Sequence, residues 1–127
     1  MPVPGLNDFA TRAGGDGEWM LMSRSWTGSI RVVVGQDCTT IQLDNGTITG
    51  VIDGPMAESG STAVVITASP DVWAEMLAMV PRPMYHDLHA AERHHDVEIS
   101  GDTLTKYQYY PALRRFLEIA RDTFNGR

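Results

Sequence analysis

The main change in the period of apolar and polar residues along this chain, from two to between three and four, falls at Ser69-Pro70-Asp71. Before it the spacing predicts strands. Ile30, Val32 and Val34 alternate with Arg31 and Val33, and Gly35-Gln36-Asp37 turns the chain. Thr39, Ile41 and Leu43 alternate with Thr40 and Gln42, the period of a half-buried strand. Asn45-Gly46 then predicts a tight hairpin, because both residues tolerate positive φ, and Ile48, Gly50 and Ile52 continue on its far side. A loop from Asp53 to Ser61 contains Pro55, and Thr62–Ala68 is a continuous β-branched run, the mark of a more deeply buried strand. Upstream, Glu18–Trp26 is apolar and aromatic and is expected to be a further strand, although Met20, Leu21 and Met22 spoil its alternation. A short helix over residues 5–13, with Leu6, Phe9 and Ala10 on one face, opens the chain; Ala13-Gly14-Gly15-Asp16-Gly17 breaks it.

After Ser69 the pattern is helical. Serine is a favoured N-cap, proline suits the first helical position, and aspartate complements the helix dipole. Val72, Trp73, Met76, Leu77 and Met79/Val80 form one stripe, which Pro81-Arg82-Pro83 ends. A second helix is expected from about Met84 to His94, with Tyr85, Leu88, Ala91 and Met84 inward. Val97-Glu98-Ile99 reads as a short extended piece turned by Gly101-Asp102, and a helical turn covers Thr103–Tyr109. Pro111 is placed at the first position of a terminal helix whose stripe is Leu113, Phe116, Leu117, Ala120 and Phe124. The expected organisation is one domain over 1–127: a helix and turn in 1–17, strands in 18–68, and helices in 69–127 with an extended piece at 97–99.

Charge removes some partners. Sixteen carboxylates outnumber ten basic side chains for a net charge of −6, and the densest basic run is the pair Arg114-Arg115. That disfavours nucleic acid and electrostatic docking on anionic lipid. Cys38 is the lone cysteine, so neither an intrachain disulfide nor a cysteine-based metal site is open to it, and its sequence neighbours supply no cation to activate it. A reducing cytoplasm fits this usage. No apolar run approaches the roughly 20 residues of a membrane span, so stable membrane insertion is not expected. Neither a signal peptide nor a C-terminal targeting tripeptide is recognisable.

Three groups of residues offer chemistry. His86, His89, His94 and His95 fall within ten residues, with Asp87 and Glu92 among them. Their spacing differs from the i,i+4 pair of zinc helices, so a polar helix face is the expected reading and neither metal nor cofactor is assigned. Tyr107, Tyr109 and Tyr110 flank Pro111, with Tyr85 upstream, and suit either the rim of an apolar pocket or packing between sheet and helix. Seven methionines and three tryptophans suit an adaptable apolar pocket or a loosely specified core. No Gly-x-Ser-x-Gly element and no glycine-rich phosphate loop is present.

Taken in order, Ile41-Gln42-Leu43-Asp44-Asn45-Gly46-Thr47, Ala63-Val64-Val65-Ile66-Thr67, Ser69-Pro70-Asp71-Val72-Trp73 and Val97-Glu98-Ile99-Ser100-Gly101-Asp102 resemble a sterol carrier protein 2-like (SCP2-like) domain over about residues 18–124. The resemblance implies an α+β fold: a five-stranded, mostly antiparallel sheet covered on one side by C-terminal helices. It also implies an apolar tunnel for sterols, acyl chains or other lipids, and a non-catalytic role as carrier or as accessory domain to an enzyme. Two departures stand out: Val80-Pro81-Arg82-Pro83-Met84-Tyr85-His86 replaces the family's glycine- and lysine-rich segment, and the opening helix is short. The expected ligand-binding residues are Trp73, Met76, Met84, Tyr85 and Leu88 from the middle helices and Leu113, Phe116 and Leu117 from the last, with Tyr107 or Tyr110 as a polar handle. The alternatives are a small enzyme with an acid–base or metal site around His86, Asp87 and His89, and a homodimeric or protein-docking subunit using Trp19, Trp26 and the methionines.

Overall fold

Strand pairing begins at the predicted hairpin. In the computed structural model, which describes residues 3–54 and 63–127, Asn45 and Gly46 take φ of 53° and 83° and join β2 (Asp37–Asp44) to β3 (Thr47–Asp53). Gly46 has a second constraint, since a Cβ there would lie 2.9 Å from the Ser23 carbonyl oxygen. β1 (Gly28–Val34) pairs antiparallel with β2 and parallel with β4 (Ala63–Ala68), and β5 (Val97–Gly101) closes the far edge antiparallel to β4. The order is β3-β2-β1-β4-β5, a mixed sheet with three antiparallel pairings and one parallel. The loop expected over Pro55–Ser61 and the start of the strand at Thr62 lie outside the described residues.

Alternation makes one face of this sheet apolar. Ile30 sits between Ile41 and Val64, and Ile66 opposite Ile99. These residues, with Val32, Leu43, Ala68 and Val97, belong to one buried cluster. Helices cover that face: α3 (Pro70–Met76), α4 (Leu88–His94) and α6 (Tyr110–Phe124) come from the C-terminal half, with α5 (Thr103–Gln108) leading into α6. α6 contributes Ala112, Leu113, Phe116, Leu117, Ile119 and Ala120 to the cluster. The N-terminal helices join the same layer, α1 (Phe9–Gly14) through Phe9 and α2 (Gly17–Met22) through Trp19. Phe9 meets Trp19 edge-on at 5.4 Å and Phe116 at 5.1 Å.

Several boundaries move. The largest correction is at Glu18–Trp26, where helix α2 stands in place of a strand. Asp16 caps it by accepting the Trp19 N–H at 2.8 Å, with Glu18 in the first turn. Trp19 is its one buried side chain, while Met20, Leu21 and Met22 face solvent, so no period marks the helix. The fifth strand is β5 instead: the extended piece at 97–99 is a full edge strand of five residues. α3 ends at Met76 and α4 begins at Leu88, which leaves 77–87 as an irregular strap where two helices were expected to run almost end to end. Ser69, Asp87 and Asp102 cap α3, α4 and α5.

Candidate functional site

The strap is pinned from α6. Arg121 Nε donates to the Met76 carbonyl at 2.9 Å and Nη2 to the His86 carbonyl at 3.0 Å, so one guanidinium holds both ends. Half-burial lowers the Arg121 pKa from the ordinary arginine value, and the two carbonyls offset the lost hydration. Asn125 Nδ2 donates to the Leu77 carbonyl at 2.8 Å. Further along, Arg82 pairs with Glu75 at 2.9 Å and lies over the Tyr85 ring, which stacks on His95. The bonds from Arg121 and Asn125 satisfy carbonyls that a helix would have satisfied internally.

Beside the strap's first residue lies an apolar cleft of about 180 Å³. Pro4, Val34, Pro70, Trp73, Ala74, Leu77 and Phe124 line it, with Asp37 as the one charged neighbour. Trp73 is its buried wall, fixed by an indole N–H donated to the Pro4 carbonyl at 2.9 Å, whereas Phe124 stands half-exposed at the rim. A second recess of about 220 Å³ is bounded by α1, α2 and the β2–β3 turn, with Ala10, Trp19, Met20, Gly46 and Ile48 in its lining. A third, polar groove of about 360 Å³ is lined by Val72, Tyr85, Arg93, His94, His95 and Asp96.

The structure distributes the sequence-derived site residues unevenly. Trp73, Met76, Leu88, Leu113, Phe116 and Leu117 are all buried in one apolar cluster between sheet and helices, and among the ten Trp73 alone lines the apolar cleft. Met84 and Tyr85 sit on the strap, Met84 exposed with a φ of 72° and Tyr85 half-buried in the polar groove. Tyr107 is exposed on α5. Tyr110 is engaged: its hydroxyl donates to Asp87 Oδ2 at 2.9 Å and accepts the His89 N–H at 2.6 Å. Burial first, then the Asp87 carboxylate, pushes its phenol well above the ordinary tyrosine range, so it remains a donor. Apart from Trp73, none of the cleft residues, Pro4, Val34, Asp37, Pro70, Ala74, Leu77 and Phe124, is among the expected ligand-binding residues. Leu77 and Phe124 are stripe positions in the sequence, and Pro4 gives no signal there.

Among the described residues no three metal-ligating side chains come together, and His86, His89 and His94 lie on the surface. Asp87, of the alternative acid–base group, caps α4 while holding Tyr110. Cys38 does have a basic neighbour, supplied by the sheet rather than the sequence: Arg31 Nε donates to its sulfur at 3.3 Å, and the thiol is buried. The sharpest electrostatic site is also structural. Asp16 receives Arg115 Nε at 3.2 and 3.1 Å on its two oxygens, and that bond, ahead of the Trp19 N–H, holds its carboxyl below the ordinary aspartate value against the opposing effect of burial. Among the described residues, no helix is long and apolar enough to cross a membrane.

The fold defined by the 3-2-1-4-5 sheet and its helical cover is the SCP2-like α+β fold. The crystal structure of sterol carrier protein 2 superposes with a TM-score of 0.73 at 18% identity, covering 93% of this chain and 94% of that one. A conserved hypothetical protein of Thermus thermophilus, solved in solution and described as possibly a sterol carrier protein, gives 0.61 at 21% identity over 94% and 81%. The ubiquinone synthesis protein UbiJ-SCP2 gives 0.53 at 16% identity over 94% and 86%. No family model matches the chain. No curated protein matches it. At these identities the likeness is one of fold.

Proposed function

We propose that this chain binds a hydrophobic small molecule, of lipid, sterol or acyl type, and acts as a non-catalytic carrier or as an accessory domain to an enzyme. The observation that carries the reading is the apolar cleft walled by Trp73 and Leu77 with Phe124 at its rim. Its 180 Å³ is below the roughly 300–1,000 Å³ of pockets that enclose a whole ligand. In this reading the cleft takes the end of the ligand, and the rest is accommodated as the end of α6 parts from α3. Trp73, Met76, Leu88, Leu113, Phe116 and Leu117 then supply the wall, and Met84 and Tyr85 move with the strap. Each Å² of apolar surface removed from water contributes about 25 cal/mol before the cost of ordering. The solved relatives support this reading through their names, one a sterol carrier protein and one a ubiquinone synthesis protein, both concerned with apolar molecules. The non-catalytic part is supported by the perturbed groups, since Asp16, Tyr110 and Arg121 are each engaged in structural bonds. The cytoplasm is the compartment we assign on cysteine usage.

Titration with a fluorescent fatty acid tests the reading, with the intrinsic tryptophan emission of the chain as a second signal. Saturable one-to-one binding that is weakened by Ala74→Trp, a substitution on the exposed cleft wall, supports it. Binding unaffected by that substitution would move the ligand elsewhere in the fold.

A further inference from the structure

A cleft of about 180 Å³ does not enclose a whole lipid, so a bound ligand has to widen it. Three side-chain bonds cross the seam that must part. Arg121 Nε donates to the Met76 carbonyl, Arg121 Nη2 to the His86 carbonyl and Asn125 Nδ2 to the Leu77 carbonyl, at 2.9, 3.0 and 2.8 Å. The acceptors lie at the end of α3 and on the strap, and Phe124, the rim of the cleft, falls between the two donors in sequence. The seam cannot widen at Phe124 without breaking these bonds.

Of its two sides, α3 is the fixed one. Ser69 caps it, Trp73 donates its indole N–H to the Pro4 carbonyl, and the Val3 N–H donates to the Thr39 hydroxyl of β2 at 3.0 Å, which ties the chain start and α3 to the sheet. Among the described residues, the end of α6 and the residues after it have one other side-chain bond to another element. It runs from Arg12 to the Arg127 carbonyl at 2.7 Å and is exposed.

We propose that Arg121 is the latch of the cleft, a positioning residue that holds α6 against α3 in the ligand-free chain and releases when a ligand enters. Its part in ligand entry rests on the carrier reading, to which it adds the residue that sets the rate. The guanidinium fork spans two carbonyls at once, and hydrogen bonds from a charged donor are among the stronger ones. Among the described residues Arg121 makes no ion pair, and a fork held by neutral carbonyls alone releases more easily than one held by a carboxylate. A bond made only in the closed state lowers the fraction of chains able to bind, and apparent affinity falls with that fraction. Removing the latch therefore speeds entry and tightens binding even as it destabilises the fold.

Stopped-flow mixing with cis-parinaric acid tests this, with amide exchange of the ligand-free chain in parallel. Arg121→Met keeps an aliphatic stem and removes the donors. Its association rate constant should rise at least about tenfold at an unchanged dissociation rate, so that Kd falls by the same factor, while its melting temperature drops. Arg121→Lys, which reaches one carbonyl at a time, should fall between. Asn125→Ala should speed association about threefold, and it carries the test if Arg121→Met does not fold. Arg115→Met breaks the bond from α6 to Asp16 instead, and should lower the melting temperature with neither rate changed. Exchange of the Leu77 and Asn125 amides should quicken in Arg121→Met and not in Arg115→Met. Association at the unsubstituted rate in both Arg121→Met and Asn125→Ala, binding weakened in step with stability, or an equal rise in Arg115→Met overturns the latch and leaves the carrier reading standing. No probe bound by any of the proteins, with exchange still quickened by Arg121→Met alone, sinks the carrier reading and leaves Arg121 as the closure of the seam.

Discussion

Asp16, Asp87 and Asp102 do the same double duty at three helix starts. Each accepts a backbone N–H as a cap, and each is held by a second side chain: Arg115, Tyr110 and the Thr105 hydroxyl. Caps that are themselves tied down cost less entropy to order, and they fix where α2, α4 and α5 begin. Asp16→Asn keeps a capping oxygen but removes the charge pair, and we expect a loss of about 1–2 kcal/mol at neutral pH by urea unfolding. The folded carboxyl lies below its unfolded value of about 4, so the unfolded chain binds the proton more tightly. The pair's stabilisation is therefore complete above about pH 4 and is lost as pH falls through the lower folded value. The gap between the two proteins should narrow over that interval. A gap constant from about pH 7 to about pH 2 would mean the ion pair contributes nothing. Tyr110→Phe should likewise cost about 1 kcal/mol in unfolding without changing fatty-acid affinity, because its hydroxyl serves Asp87 and His89; a binding defect at unchanged stability would return it to the ligand site.

Elements whose period and punctuation agree are legible from the chain. Asn45-Gly46, Ser69-Pro70 and Pro111 each require a backbone geometry that few alternatives satisfy; the first two stand where expected, and Pro111 is the second residue of its helix rather than the first, because α6 begins at Tyr110. Ser69→Ala should cost about 1 kcal/mol through the lost Val72 cap, read as a lower melting temperature. The failures share a cause. α2 exposes Met20, Leu21 and Met22, so its burial is set by one residue, Trp19, and by its docking to α1 and α6, which no local period records. β5 is only five residues long and owes its identity to β4, a strand far upstream in the chain. Gly101 shows how tight that pairing is: at a φ of 103°, a Cβ would run into the Ala63 carbonyl, whose oxygen accepts the Asp102 N–H. Gly101→Ala should destabilise by about 2–3 kcal/mol, and wild-type thermal stability in that variant would contradict the placement of the β4–β5 edge.

Across the whole molecule, the fold was more legible than the site. Leu113, Phe116 and Leu117 occupy a stripe that the sequence announces, but a stripe reports burial and not whether the neighbour is a side chain or a ligand. Those residues pack in the apolar cluster, while the cleft lies at its edge, assembled from Pro4, Val34, α3 and the last turn of α6. Such a site joins the two ends of the chain, from Pro4 to Phe124, and only the folded molecule brings them together. The same geometry sets the strap beside the cleft, in the segment from Val80 to His86 that departs most from the family pattern. The central claim is that one hydrophobic molecule is held at this cleft. Native mass spectrometry of the freshly purified protein, before and after exposure to a lipid extract, addresses it most directly. The account predicts a single added lipid mass per chain, reduced in Ala74→Trp. A bare protein mass under both conditions would contradict it.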